Sequence, residues 1–139
     1  MKVIAKELHL ETRGTGDLID ITSQAKRALR DTCLKEGTVT LFVIGSTAAL
    51  ATFEYEPGMI SDIRDLYERI APSGQPYAHD ETWGDANGFS HLRAALQGPS
   101  LVVPFNSAEL ALGTWQQIVL AEFDTQPRSR KIILQFIGT

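Results

Sequence analysis

Two histidines, His79 and His91, stand twelve residues apart around a segment that also carries Asp80, Asp85 and Asn87. Imidazole titrates closest to neutrality of all side chains, so either ring can move protons at physiological pH. Two imidazoles with one carboxylate and water can instead hold a divalent ion, zinc or magnesium, leaving a position open for substrate. These chemistries make His79, His91, Asp85 and Asn87 the catalytic candidates, with His79 and His91 as the metal ligands. The spacing is not a sequential metal motif. The plain alternative is a polar loop whose histidines and aspartates hydrogen-bond backbone.

Other groups suit substrate binding. Ser46 and Thr47 follow a run that reads as a buried strand, where hydroxyls can meet phosphate oxygens, and Gly45 permits close approach. Ordinary turn chemistry explains Gly-Ser equally well. No Gly-x-Ser-x-Gly elbow surrounds Ser46, so it is not read as a hydrolase nucleophile. Trp115 can stack on a heteroaromatic ring while Gln116 reads its polar edge; the competing account is a core tryptophan in a strand. Arg128 and Arg130, beside Pro127, are the cations best placed by sequence for a phosphate or an acidic subunit contact, or are solvated turn charges. Glu54 and Glu56 make an acidic patch near Gly45 only if the two strands flanking Gly45 form a hairpin. Otherwise Glu56, before Pro57, belongs to a helix start.

The elements that must position these groups follow from periodicity. Residues 3–12 alternate Ile4, Lys6, Leu8 and Leu10 against Ala5, Glu7, His9 and Glu11, a half-buried strand closed by Gly14 and Gly16. His9 falls on that strand as surface or packing. Asp20 or Thr22 can cap a helix to about residue 35, with Ala25, Ala28, Leu29 and Thr32 inward and Cys33 packed beside them. Residues 38–44 form the clearest strand, and a second follows over 51–55. Pro57 suits a first helical turn, and Ile60, Ile63, Leu66, Tyr67 and Ile70 recur at helical spacing before Pro72. Residues 72–86 read as a long loop, the kind that often carries function. Asn87 can cap a helix through Leu92 and Leu96. The rest reads as strands over 100–105, 109–112, 116–123 and 131–137. This order implies an α+β domain.

At 139 residues there is room for one domain with a hydrophobic core. Thirteen basic and 17 acidic residues, net −4, argue against a nucleic-acid surface, which needs a dense cationic stripe. Cys33 is the only cysteine, which excludes an intrachain disulfide and any two-cysteine metal motif. Early charges at Lys2, Lys6 and Glu7 do not match a signal peptide, and no apolar run is long enough to cross a bilayer. A cytoplasmic location without membrane or nucleic-acid partners is the expectation.

Read together, several ordered blocks resemble the YjbQ-like family. They are Tyr77-Ala78-His79-Asp80, Trp83-Gly84-Asp85-Ala86-Asn87-Gly88, Ser90-His91-Leu92-Arg93 and Gly98-Pro99-Ser100-Leu101. Gly113-Thr114-Trp115-Gln116-Gln117-Ile118 with Glu122-Phe123-Asp124 is similar to its signature block. Asp20-Ile21-Thr22 and Gly45-Ser46-Thr47-Ala48-Ala49 fit earlier in the same order. The resemblance implies a two-sheet β arrangement flanked by helices and a homotrimer. It also implies secondary thiamine-phosphate synthase activity on a small phosphorylated or heteroaromatic metabolite. Some members look like metal proteins with a histidine cluster. Many carry histidine where this chain has Gly45, and often another at Phe89. The Gly-Ser-Thr-Ala form here resembles a subgroup that lacks one of those ligands. The rival expectation is a non-catalytic trimeric metabolite-binding or assembly protein.

Overall fold

A computed structural model describes all 139 residues. The alternating N-terminal run forms β1 (Lys2–Glu11), which pairs antiparallel along its length with β8 (Ser129–Gly138). β8 pairs on its other side with β3 (Gly37–Ile44), and β3 with β5 (Ser100–Asn106). The two-residue β6 (Glu109–Leu110) closes the far edge, giving the order β1-β8-β3-β5-β6. A second sheet places β7 (Gln117–Glu122) between β2 (Asp17–Asp20) and β4 (Ala48–Phe53), again antiparallel. The chain is thus α+β, as its patterning implied, with the two sheets that the family resemblance implied.

Burial explains the layering. Val39, Leu41 and Val43 of β3 and Ile132, Leu134 and Phe136 of β8 point to one face, the period-2 consequence of strand geometry. They meet Leu50, Ile118 and Leu120 from the second sheet and Ala25, Ala28 and Leu29 of α1 (Thr22–Thr32). The other face of the second sheet is also covered. Ala49, Val119, Ala121 and Phe123 pack with Tyr67 of α2 (Pro57–Ile70) and Ala94 of α4 (Gly88–Gln97). β7, buried on both sides, accordingly reads as a nearly continuous apolar run. No helix is long and apolar enough to cross a membrane.

Several expectations are corrected. Residues 72–86 are not all loop: α3 (Ala78–Trp83) forms there, with Tyr77 as N-cap. β2 occupies residues expected to be a turn and a helix cap. Cys33 is exposed rather than packed, because it ends α1 in a left-handed conformation, φ 61°. β3 and β4 belong to different sheets, so no hairpin brings Glu54 and Glu56 to Gly45. Glu56 instead caps α2, accepting from the backbone N–H groups of Gly58 and Met59. His9 lies on the surface, within 3.1 Å of Glu7.

Candidate functional site

Three chain reversals meet at one end of the two sheets: the β3–β4 turn at 45–47, the α3–α4 junction, and the β7–β8 turn at 123–128. Backbone bonds tie them together. The Phe123 N–H donates to the Thr47 carbonyl at 3.0 Å, and the Ser90 hydroxyl donates to the Phe123 carbonyl. Asp80 joins the two helices by accepting from the N–H groups of Tyr77 at 3.0 Å and Gly88 at 2.9 Å. Gly88 is required at that crossing, since a Cβ there would lie 2.7 Å from the Tyr77 Cβ.

This junction stacks the two histidine rings. Their centroids are 4.3 Å apart with 29° between the planes. The pairing expected across twelve residues is therefore formed by a helix-to-helix contact. Beside it lies a cavity of about 360 Å³ lined only by glycine and polar residues, including Ser46, Asn87, His91, Arg128 and Arg130.

The polar groups around this cavity fall into two populations. One is held in intrachain bonds. Glu122, wholly buried, accepts from the Thr12 hydroxyl at 2.7 Å, from Arg130 Nε at 2.8 Å and from the Asp124 N–H at 3.0 Å, and also pairs with Arg130 Nη2. Arg130 Nη2 further donates to the Thr47 hydroxyl at 2.7 Å, which itself donates to Asp124 at 2.9 Å. Arg128 Nε donates to Asp124 at 2.9 Å. Burial opposes ionisation of Asp124 most strongly. Even so, the Thr47 hydroxyl, the bond and charge of Arg128 and a backbone bond at Thr125 together hold its carboxyl below the usual aspartate value.

The other population has no intrachain partner. His79 Nδ1 and Asn87 Oδ1 are buried without a hydrogen bond. Asn87 sits at the N-cap of α4 but makes no side-chain cap bond. Buried polar groups left unpaired cost free energy of order 1–3 kcal/mol each, and of these two residues only Asn87 lines the cavity, where a ligand or water can reach it.

Of the candidates named from sequence, the fold gathers His79, His91, Asn87, Ser46, Thr47, Arg128 and Arg130. Thr47 is only 5% exposed and spends its hydroxyl on Asp124 and Arg130, so it positions them instead of facing a ligand. Asp85 is exposed on the α3–α4 connection and does not line the cavity. Trp115 and Gln116 are not brought here within one chain. Trp115 is 69% exposed in the turn before β7, so it is neither a core residue nor a wall of this cavity. Gln116 bonds Thr52 and the Gly113 N–H elsewhere. Glu122 and Asp124 were quoted in a block but given no role. An acid inside the apolar run of β7 was the available signal, because a buried carboxylate requires a cation.

The donor set does not fit the expected ion. Two imidazoles supply fewer than the three protein ligands of a catalytic zinc site, and magnesium prefers carboxylate oxygens. Asp80 already spends both oxygens on backbone, and no group of three or more His, Cys, Asp or Glu side chains is spaced to hold a metal.

Comparison with known proteins agrees with the architecture. A family model described as "UPF0047 protein YjbQ-like" matches residues 6–139. A UPF0047 protein of Archaeoglobus fulgidus is 41% identical over 129 residues, covering 93% of this chain and 98% of the relative. One from Methanothermobacter thermautotrophicus is 38% identical over 138 residues, covering 99% and 94%. A crystal structure from Sulfolobus solfataricus, described as a YbjQ-like protein of unknown function, superposes with a TM-score of 0.93 at 30% identity, covering 99% of both chains. An Aeropyrum pernix hypothetical protein gives 0.90 at 29% identity, covering 98% and 99%.

Proposed function

This chain belongs to the YjbQ-like UPF0047 family, and from that membership we propose a cytoplasmic, homotrimeric transferase of the thiamine-phosphate synthase type. Its substrate is a small phosphorylated, heteroaromatic metabolite bound in the cavity between the β3–β4 turn, α4 and the β7–β8 turn. The observation that carries the reading is Asn87. It is a 94%-buried carboxamide with an unpartnered oxygen, and it lines a polar cavity that also holds two arginines.

In this reaction a ring nitrogen of a thiazole phosphate forms a bond to the methylene carbon of a pyrimidine. The carbon–oxygen bond to pyrophosphate breaks, and pyrophosphate leaves with the electron pair. The negative charge developing on the leaving oxygen is what arginines stabilise, and stabilisation of that kind is commonly the largest catalytic contribution. Arg128 and Arg130 take that role, with Ser46 as an added donor. His91 donates a hydrogen bond or a proton to the departing oxygen, and His79 holds its ring by stacking. No step runs through a metal.

The test is thiamine phosphate formation from the two phosphorylated precursors. His91→Ala is expected to lower turnover about 10²–10⁴-fold, the range for a lost acid or base. Asn87→Leu should weaken substrate binding while the fold keeps or gains stability, because it removes an unsatisfied buried amide. Full turnover in the His79→Ala, His91→Ala double variant sinks the catalytic assignment. One metal ion per chain, lost on His79→Ala, would return the ion to the scheme.

One observation favours a binding protein instead. Catalytic imidazoles are usually oriented by a hydrogen-bonded third group, yet the His91 ring is held by stacking on His79, whose own Nδ1 has no partner. Ligand binding without turnover in the parent protein would select that second reading.

A further inference from the structure

The helix that presents His91 to the polar cavity carries Arg93 two residues on, turned by roughly 200° to its other side. There Arg93 lines a different cavity, about 200 Å³, between α2, α4 and the turn before β2. The two cavities share no lining residue. The apolar wall of this one is Leu18, Ile63, Tyr67 and Phe123, with the last two rings edge-on at 4.6 Å. Arg93 is only 3% exposed, a charge held almost wholly inside the molecule. We propose that this cavity is a second binding site, one that takes a small monocarboxylate with an apolar body the size of a single ring. The inference is independent of the reading given to the polar cavity.

A buried guanidinium must be paired and hydrogen-bonded, and most of Arg93 is. Its Nε and Nη2 donate to the Ala71 carbonyl at 3.0 and 2.9 Å, and Nη2 also meets Glu68 at 2.8 Å. One face of the group lies over the Phe89 ring, 4.7 Å from its centre. Nη1 alone has no intrachain partner. It is not sealed from solvent either, because the buried side-chain atoms without a partner belong to His79 and Asn87. That free donor is what Arg93 offers to an occupant of the cavity it lines. Across the rim, Arg64 Nε donates to the Gly16 carbonyl at 2.8 Å, and Arg64 makes no ion pair. Two arginines against Glu68 leave the walls one positive charge. A single carboxylate answers that charge, whereas a phosphate dianion exceeds it and is repelled by Glu68. The remaining polar groups are spent: the Tyr67 hydroxyl donates to Gln97, and the Thr15 hydroxyl to the carbonyls of Phe123 and Asp124. The body of the ligand therefore meets apolar surface, in a volume below the roughly 300–1,000 Å³ that drug-sized molecules fill.

The experiment titrates the full-length protein with benzoate, benzyl alcohol and acetate by NMR at neutral pH. Benzoate is expected to bind about tenfold tighter than benzyl alcohol, which lacks the charge, and about tenfold tighter than acetate, which lacks the ring. The shifts it causes should centre on Gly16, Ile63 and Tyr67. Arg64→Gln should weaken benzoate about two- to fivefold, the worth of an exposed ion pair. Arg93→Lys keeps the charge without the fork and should weaken it about tenfold. Ile63→Trp fills the cavity from its half-buried wall and should abolish binding while circular dichroism shows the chain folded. It and Arg64→Gln decide the matter should Arg93→Lys fail to fold. Equal affinity for benzoate and benzyl alcohol overturns the site, and so does binding that survives Ile63→Trp. Shifts centred on Ser46 and His91 also overturn it, because they put the anion in the polar cavity.

Discussion

Glu122 and Asp124 hold the candidate site at the residue scale, two carboxylates that a buried strand end can keep only because Arg130 and Arg128 answer them. A buried ion pair adds little net stability when made and costs much when half is removed. Asp124 carries the clearer pH signature. Its carboxyl titrates below the usual aspartate range when folded, so it contributes stability that is fully present above the ordinary aspartate pKa. That contribution is lost as pH falls through the lower folded value. Asp124→Asn should therefore cost roughly 1–3 kcal/mol at neutral pH, the loss of a charged hydrogen-bond partner. The gap from the parent should close across the acid range below the ordinary aspartate pKa, because the parent protonates the same group there. Thermal unfolding of both proteins across that range measures it, and a gap constant with pH would show that Asp124 acts through shape alone.

At the scale of elements, α3 and α4 meet through Asp80, whose carboxylate caps one helix and grips the first residue of the next. Asp80→Ala removes both bonds and should cost about 0.5–2 kcal/mol, as for a lost N-cap. It should also loosen the histidine stack, read as a change in the imidazole proton shifts by NMR; unchanged shifts would mean the rings are held without it. This junction was only partly legible in the sequence. Strands such as β3 and helices such as α2 announce themselves, because each has one buried face and therefore a period. α3 buries no residue fully and is held by capping, so it leaves no apolar period to read. β2 is four residues long beside two glycines, too short to separate from a turn. Asn87 was visible as a cap, but its idle side chain was not, because whether a polar atom finds a partner depends on tertiary geometry. The exposure of Trp115 was hidden for the same reason.

At the scale of the whole molecule, one surface is left without a layer over it. The second sheet is buried on both faces, but the outer face of the five-stranded sheet meets solvent. Val3, Phe42, Ile44, Val102 and Ile137 are each 39% to 65% exposed there. Register puts them on the same side: Val3 pairs with Ile137, Ile137 with Thr38, and Thr40, one alternation from Phe42, pairs with Val102. These side chains are interrupted by Thr38, Thr40 and Gln135, but exposed apolar groups on four neighbouring strands are what a partner covers. The homotrimer proposed above would account for it if each chain laid part of this face against its neighbours. Sedimentation equilibrium at micromolar concentration should then give about three times the 15.3 kDa chain mass. The double change Phe42→Glu, Val102→Glu places charge in the centre of the face without touching the inner core, so the chain should remain folded by circular dichroism and sediment as a monomer. A parent that is cleanly monomeric removes the trimer. A trimer that withstands both glutamates moves the interface to another surface, and the apolar face would then have to be covered by something other than this chain.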